Sequence, residues 1–473
     1  MKKCISLMLA LVLVMALTVG VSAQTVGAEG GATITINNAA KGETYNVYKL
    51  FGATVTGTEG GSIAYTGEIP TSLAAYFEKD AADNISLKDG VTDDVLFAAL
   101  KTWASTAAVT ETAESDGSVL VFQGLEYGYY VVTSSQNTSA ISVTSTNPDA
   151  TIYDKNATVP QLVSKTVDKA DVSFGDTVTY TVTFNTANFD GKDTAAKRIV
   201  SYTIADDLPA YLKDVTVTAI KVDDTAITTQ LFDANKKITI PWVDGKGDSL
   251  YKNGATVTIT YTAKITDSAA IAGAGNKNTV TLTWTKDDNS TGNGGTKDVV
   301  VKTYAFVLKK VDQKGNALSG ATFQLPFQVA EVETGVYNYD GAGTATVTTP
   351  ETGVIVVKGV ASGTYSVTET VAPTGYNKLT APVSVVVTET AATATDSVTY
   401  LDKSGNEVDE ATADGVTVTY ANETLAADVA VVVNKTGSEL PSTGGMGTTV
   451  FYVIGGLLMA GAAVMLITKK RMD

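Results

Sequence analysis

The chain has no histidine and one cysteine among 473 residues. Without histidine the usual nucleophilic triads and most transition-metal sites are missing, so neither a metal nor a cofactor is expected. Carboxylate chemistry stays open. Cys4 lies in an apolar leader, too early and without a small-residue run before it to read as a lipid anchor. The remainder has no thiol and therefore no disulfide, so any covalent bracing must use other chemistry. Positive charge is scarce too: 34 Lys and Arg stand against 50 Asp and Glu, a net charge of -16. Nucleic-acid binding needs clustered basic side chains, and this balance argues against it.

What is present is clearest at the two ends. Lys2-Lys3, the apolar run Ile5 to Val21 and the small residues Val21-Ser22-Ala23 make 1–23 a secretory signal peptide. Cleavage is expected after Ala23, with Ala28 as the alternative. At the other end Leu440-Pro441-Ser442-Thr443-Gly444 precedes an uncharged stretch and then Lys469-Lys470-Arg471. Val450 to Ile467 is 18 residues, about 27 Å as a helix and enough for one bilayer crossing. The basic cluster behind it holds the tail on the cytoplasmic side. This arrangement resembles the sorting signal of Gram-positive surface proteins. The resemblance implies a sortase that cuts between Thr443 and Gly444, a secreted, wall-anchored protein, and peptidoglycan as a partner. A plain membrane tail is the simpler alternative; pentapeptide, span and basic tail together favour the sorting signal.

Between the ends the chain is written in alternation. Val178-Thr179-Tyr180-Thr181-Val182-Thr183-Phe184 and Val416-Thr417-Val418-Thr419-Tyr420 put apolar side chains on one face and threonines on the other. That is the pattern of half-buried antiparallel strands. The expected fold is mainly β: tandem Ig-like β-sandwich domains, the first of them mixed β with short helices, plus the signal peptide and a C-terminal transmembrane helix. The expected segments are 30–157, 158–302, 303–436 and the sorting signal 437–473. Ser72 to Asp80 and Thr92 to Ala107 have helical spacing, the latter with Val95, Leu96, Leu100 and Trp103 on one face. Asp287 to Gly295 reads as a loop, a solvated turn rather than a cation site.

Alternation also places polar residues on apolar faces. Lys165 shares a face with Val163 and Val167, Asp206 with Val200, Tyr202, Ile204 and Leu208, and Asn278 with Val280, Leu282 and Trp284. Further on, Glu369 aligns with Tyr365, Val367 and Val371, and Lys310 with Phe306 and Leu308. Lysine and carboxylates are almost never fully buried unless paired. A strand-end side chain that reaches solvent, or a buried ion pair, accounts for any one of these. Three in one segment and a second set in the next ask for more.

Lys310-Val311-Asp312, Leu318 to Phe323, and Tyr365-Ser366-Val367-Thr368-Glu369 onward to Tyr376 resemble a collagen-adhesin B-type domain. Asp206-Asp207-Leu208-Pro209 resembles the related A-type domain. The resemblance implies that Glu369 and Asp206 each promote an intramolecular isopeptide bond between a first-strand lysine and a late asparagine. In the second segment the pair is Lys165 with Asn278, Asn276 being the runner-up. In the third it is Lys310 with Asn434, where the family places the reactive asparagine. Asn422 stays open, because it extends the face of Val416, Val418 and Tyr420. Burial suits this chemistry, since it favours a neutral amine as nucleophile and a neutral carboxylic acid as proton shuttle. The reaction turns over once, so the protein is not an enzyme. In the first segment Tyr127 to Val132 takes the place of the glutamate-bearing strand without a glutamate, and no bond is expected there.

Ile152-Tyr153-Asp154-Lys155-Asn156, followed by Pro160, resembles the pilin motif of sortase-assembled backbone pilins. There a lysine attacks the acyl-enzyme formed at the threonine of the next subunit. Lys155 would be that nucleophile, joined to Thr443. The commoner pattern has proline where this chain has Asp154, which leaves Lys165 or Lys169 conceivable. The resemblance implies a major pilus-shaft subunit whose partners are pilin-specific and housekeeping sortases, identical subunits in a head-to-tail polymer, and tip and base pilins. The alternative is a monomeric wall-anchored adhesin that is not polymerised. A secreted hydrolase finds no catalytic constellation.

Overall fold

The structure is a computed structural model describing residues 23–56, 62–135, 138–154, 158–388, 399–401, 415–420 and 423–436. The signal peptide to residue 22, Lys155, Asn422, Leu440, Pro441, Thr443, Gly444 and the expected membrane span lie outside the described residues. Among those described, no helix is long and apolar enough to cross a membrane. The chain is mainly β and divides into two units, the first ending at Lys302 and the second made chiefly of residues from Thr303 onward.

In the first unit, residues 23–152 form a four-stranded and a seven-stranded sheet. Ala32–Ile36 turns Ala32, Ile34 and Ile36 inward, and pairs antiparallel with Val119–Leu125 and parallel with Asp149–Ile152. The long strand Thr44–Thr56 serves two cores, because successive side chains leave opposite faces. Tyr45 and Val47 join Ile34, Leu120 and Phe122, while Tyr48 and Leu50 join Leu96 and Leu100. The latter two belong to the helix Asp93–Ala104, which buries Leu96, Leu100 and Ala104 at intervals of four. Asp93 and Asp94 in its first turn and Lys101 in its last complement the helix dipole. Val95 points to solvent, since it lies off that stripe.

The second expected helix is absent. Thr71–Leu73 is a single 3-10 turn and Phe77–Lys79 is a strand paired with Ile85–Leu87. Pairing outweighs helical spacing in so short a stretch. The first sheet also begins earlier than residue 30, because Ala23–Val26 pairs parallel with Val119–Leu125.

Residues 161–301 form two five-stranded sheets. One carries Gln161–Val167, Thr177–Asn185 and Thr256–Ile265; the other carries Lys197–Asp206, Asn276–Lys286 and Thr291–Val301. Val178, Tyr180, Val182 and Phe184 alternate inward with threonines between them, as the sequence pattern requires. The stretch read as a loop to Gly295 is a hairpin whose second strand starts at Thr291. Gly292 and Gly294 leave room for Trp284 and Leu282. Gly292 pairs with Trp284, and a Cβ at Gly292 would lie 2.0 Å from the indole. Within this unit Arg198 links the two halves: Nη1 donates to the Gly117 carbonyl (2.8 Å) and to Ser249 Oγ (2.9 Å).

The second unit is built around Tyr304–Val311, which pairs antiparallel with Val354–Val360 and parallel with Glu423–Val433. It is buried on both faces. Phe306 and Leu308 enter the main core, and Ala305 and Val307 a smaller one with Val336 and Val356. Central strands covered on both sides lose strict alternation in this way.

Candidate functional site

Gln161–Val167 delivers Lys165 to the interior, though not in the expected phase. Pairing with Thr177–Asn185 shifts register between Leu162 and Ser164. A bulge adds one residue to one strand, so Val163 turns outward (45% exposed) and Leu162 and Lys165 turn inward. From the facing sheet Asp206 ends Lys197–Asp206 and lies opposite Val280 on Asn276–Lys286. Asn278 is two residues away on the same face as Val280.

There the side chains of Lys165 and Asp206 are fully buried, with Nζ 2.8 Å from Oδ2. The Tyr261 hydroxyl donates to the same Oδ2 at 2.6 Å and accepts from Asn278 Nδ2 at 2.9 Å. Tyr180 and Tyr261 stack at 5.1 Å and wall the amine, whose Nζ is 5.5 Å from the Tyr180 ring. Desolvation pulls the Lys165 amine below its ordinary value, and Asp206 opposes part of that fall. Burial likewise pushes the Tyr180 hydroxyl up to about 12, keeping it neutral. Asn276 is buried too, and its main-chain carbonyl accepts from the Tyr211 hydroxyl at 3.1 Å.

In the second unit Lys310 and Asn434 meet on neighbouring strands. Parallel pairing sets Lys310 beside Val432, and the Asn434 amide donates to the Val311 carbonyl at 3.0 Å. Gly363–Val371 brings in Glu369, which is buried although Val371 beyond it is exposed. Asn434 Nδ2 lies 3.0 and 3.1 Å from the two Glu369 carboxyl oxygens, and the Leu379 amide donates to Oε2 at 2.7 Å. Lys310 Nζ donates to the Val432 carbonyl at 2.8 Å. Desolvation lowers the Lys310 amine to about 8, against the opposing charge of Glu369. An appreciable fraction of unprotonated amine therefore exists near neutral pH, which a nucleophile requires.

The side-chain oxygens Asn278 Oδ1 and Asn434 Oδ1 are both buried without a hydrogen-bond partner among the described residues. An orphaned buried acceptor costs about 1–3 kcal/mol. Rotating the amide by 180° would bring that oxygen to the carboxyl at Glu369, or to the tyrosine hydroxyl at Tyr261, where a proton would polarise it.

The structure brings together Lys165, Asp206 and Asn278, and separately Lys310, Glu369 and Asn434. Tyr261 is the participant that sequence reading missed. The signal was there: it alternates inward with Val257, Ile259 and Ala263, and a buried tyrosine hydroxyl must find a partner. Lys165 is enclosed and unavailable to an external enzyme, whereas Lys169 is exposed. Asp154, directly before Lys155, is buried. Its Oδ2 accepts from the Tyr45 hydroxyl (2.8 Å) and Ser134 Oγ (3.0 Å), and its carbonyl from Asn38 Nδ2 (2.7 Å). No group of three His, Cys, Asp or Glu side chains suited to a metal ion occurs among the described residues.

Residues 304–401 match the SpaA family, a Prealbumin-like fold domain, and residues 432–473 match the LPXTG cell wall anchor motif. The chain therefore carries a SpaA-type domain and a wall anchor, and is a secreted, cell wall-anchored protein. It is similar to the trypsin-resistant surface T6 protein of Streptococcus pyogenes serotype M6, 26% identical over 409 residues, covering 66% of this chain and 73% of that protein. Among solved structures it is similar to the full-length major pilin SpaD from Corynebacterium diphtheriae (18% identity, 88% of this chain, 99% of that chain, TM-score 0.42). It is also similar to the T6 backbone pilin of serotype M6 Streptococcus pyogenes (16% identity, 87% of this chain, 100% of that chain, TM-score 0.35).

Proposed function

We propose that this chain is the major shaft subunit of a covalently polymerised Gram-positive pilus, braced internally by Lys165–Asn278 and Lys310–Asn434 isopeptide bonds. The observation that carries the reading is the pair of buried lysine, carboxylate and asparagine clusters. In each, a lysine of an early strand shares a water-excluded site with an asparagine more than 100 residues later in the chain. In each bond the neutral amine adds to the asparagine Cγ, Asp206 or Glu369 manages the protons, and ammonia leaves. The anchor and the relation to the T6 protein support the wall location and the pilin class.

Polymerisation uses the other electrophile. A sortase cleaves between Thr443 and Gly444 of the Leu440-Pro441-Ser442-Thr443-Gly444 signal, and Lys155 of another subunit resolves the acyl-enzyme as an amide to Thr443. Asp154, the residue before Lys155 in the motif, is itself held by hydrogen bonds from the Tyr45 hydroxyl and Ser134 Oγ. Sortases, identical subunits, tip and base pilins and peptidoglycan are the partners this reading requires.

Boiling cell-wall extracts in detergent and blotting for the protein tests the reading. The shaft subunit gives a high-mass ladder that collapses to monomer with Lys155→Ala. A single band from wild type instead supports the unpolymerised, wall-anchored adhesin.

A further inference from the structure

The two clusters differ in how the carboxylate reaches the leaving nitrogen. Glu369 touches Asn434 Nδ2 directly, at 3.0 and 3.1 Å. In the other cluster the link between Asp206 and Asn278 Nδ2 runs, among the described residues, through the Tyr261 hydroxyl, with contacts of 2.6 and 2.9 Å. One oxygen, Asp206 Oδ2, receives both Lys165 Nζ and the Tyr261 hydroxyl. A continuous path therefore runs from nucleophile to carboxyl to hydroxyl to leaving group, among fully buried side chains.

We propose that Tyr261 is a catalytic residue of the Lys165–Asn278 cross-link, its hydroxyl relaying a proton from Asp206 to the departing Asn278 nitrogen. The inference rests on the reading that this bond forms. Proton transfer within the Lys165–Asp206 pair first gives a neutral amine and a protonated carboxyl. The amine adds to Asn278 Cγ, making the new C–N bond and a tetrahedral centre. Asp206 then hands its proton to the Tyr261 oxygen while the hydroxyl passes its own to Nδ2. The Cγ–Nδ2 bond breaks and ammonia leaves. Asp206 finally takes the surplus proton from the new amide nitrogen. Nothing is oxidised or reduced, and no co-reactant is needed. A hydroxyl that both donates and accepts suits this place, since its neutral form is the same before and after. Burial keeps it neutral throughout, pushing its ionisation well above the ordinary tyrosine range.

The experiment follows ammonia loss in the full chain by intact mass during a cell-free synthesis pulse, with peptide mapping of both cross-links. Wild type should lose two ammonias. Tyr261→Phe should form the Lys310–Asn434 bond at the normal rate, which reports a folded chain. Its Lys165–Asn278 bond should appear about a hundredfold more slowly, the scale of a lost general acid–base contact. Ring-fluorinated tyrosine placed at position 261 keeps the packing and the hydroxyl. It should change that rate while leaving the melting temperature unmoved, which a purely structural role would not do. An unaltered Lys165–Asn278 rate in either variant overturns the relay and leaves the bond itself standing. Wild-type protein without the Lys165–Asn278 cross-link overturns both.

Discussion

In the first unit the lysine comes from one sheet, and the carboxylate and asparagine come from adjacent strands of the sheet facing it. In the second unit Lys310 and Asn434 stand on neighbouring parallel strands. A bond at the first site would staple two layers of a sandwich together. A bond at the second would lock an early strand against a late one in shear. The electrostatics differ as well. Lys165 is held in a buried ion pair, whereas Lys310 leans on a main-chain carbonyl and Glu369 accepts from Asn434 Nδ2 and the Leu379 amide. Lysine, carboxylate and asparagine can thus be immobilised by a salt bridge and a hydroxyl, or by strand register and direct hydrogen bonds between amide and carboxyl. Both clusters close loops of more than 100 residues, for which a cross-link contributes about 5 kcal/mol by the chain-entropy relation.

The contrast predicts unequal responses to losing the carboxylate. Asp206→Ala should have the largest effect: it removes the cross-link and strands Lys165 without its counter-charge. Breaking a buried pair costs about 3–5 kcal/mol beyond the lost bond. Calorimetry should show the transition of residues 161–301 falling furthest, and intact mass should recover one ammonia. Glu369→Ala should also recover one ammonia, but with a smaller drop of about 5 kcal/mol, because Lys310 keeps its carbonyl partner. Equal losses in the two variants would erase the distinction between the sites.

A gentler probe is pH. In Asn434→Ala the Lys310 amine stays free, with its folded value lowered to about 8 against 10.5 unfolded. Below pH 8 both states hold the proton and the burial penalty is fully present. Between pH 8 and 10.5 the unfolded chain binds more protons than the folded one, so stability rises with pH. Denaturant unfolding of this variant should show the rise, and wild type, in which the proposed cross-link turns the amine into an amide, should not. The smallest expected effect is Gly292→Ala, which forces a methyl onto Trp284 and should cost about 1–3 kcal/mol in the first unit. Both cross-links should still form, which separates packing stability from covalent bracing.

The β class, the inward positions of Lys165, Asp206, Asn278, Lys310 and Glu369, and the sorting signal were legible in the sequence. Period-two alternation and short motifs are local, so they survive without knowledge of neighbours. The exclusions were equally local: with no thiol after Cys4, any covalent bracing must use chemistry other than disulfides. What tertiary structure alone decided is register and company. The bulge at Val163, the strand begun at Thr291, the short strand at Phe77–Lys79 and the contact of Asn434 with Glu369 across 65 residues depend on which strands lie side by side. Tyr261 is the sharpest case. Its alternation says only that it points inward, and it takes two other strands, brought close by folding, to set its hydroxyl between Asp206 and Asn278.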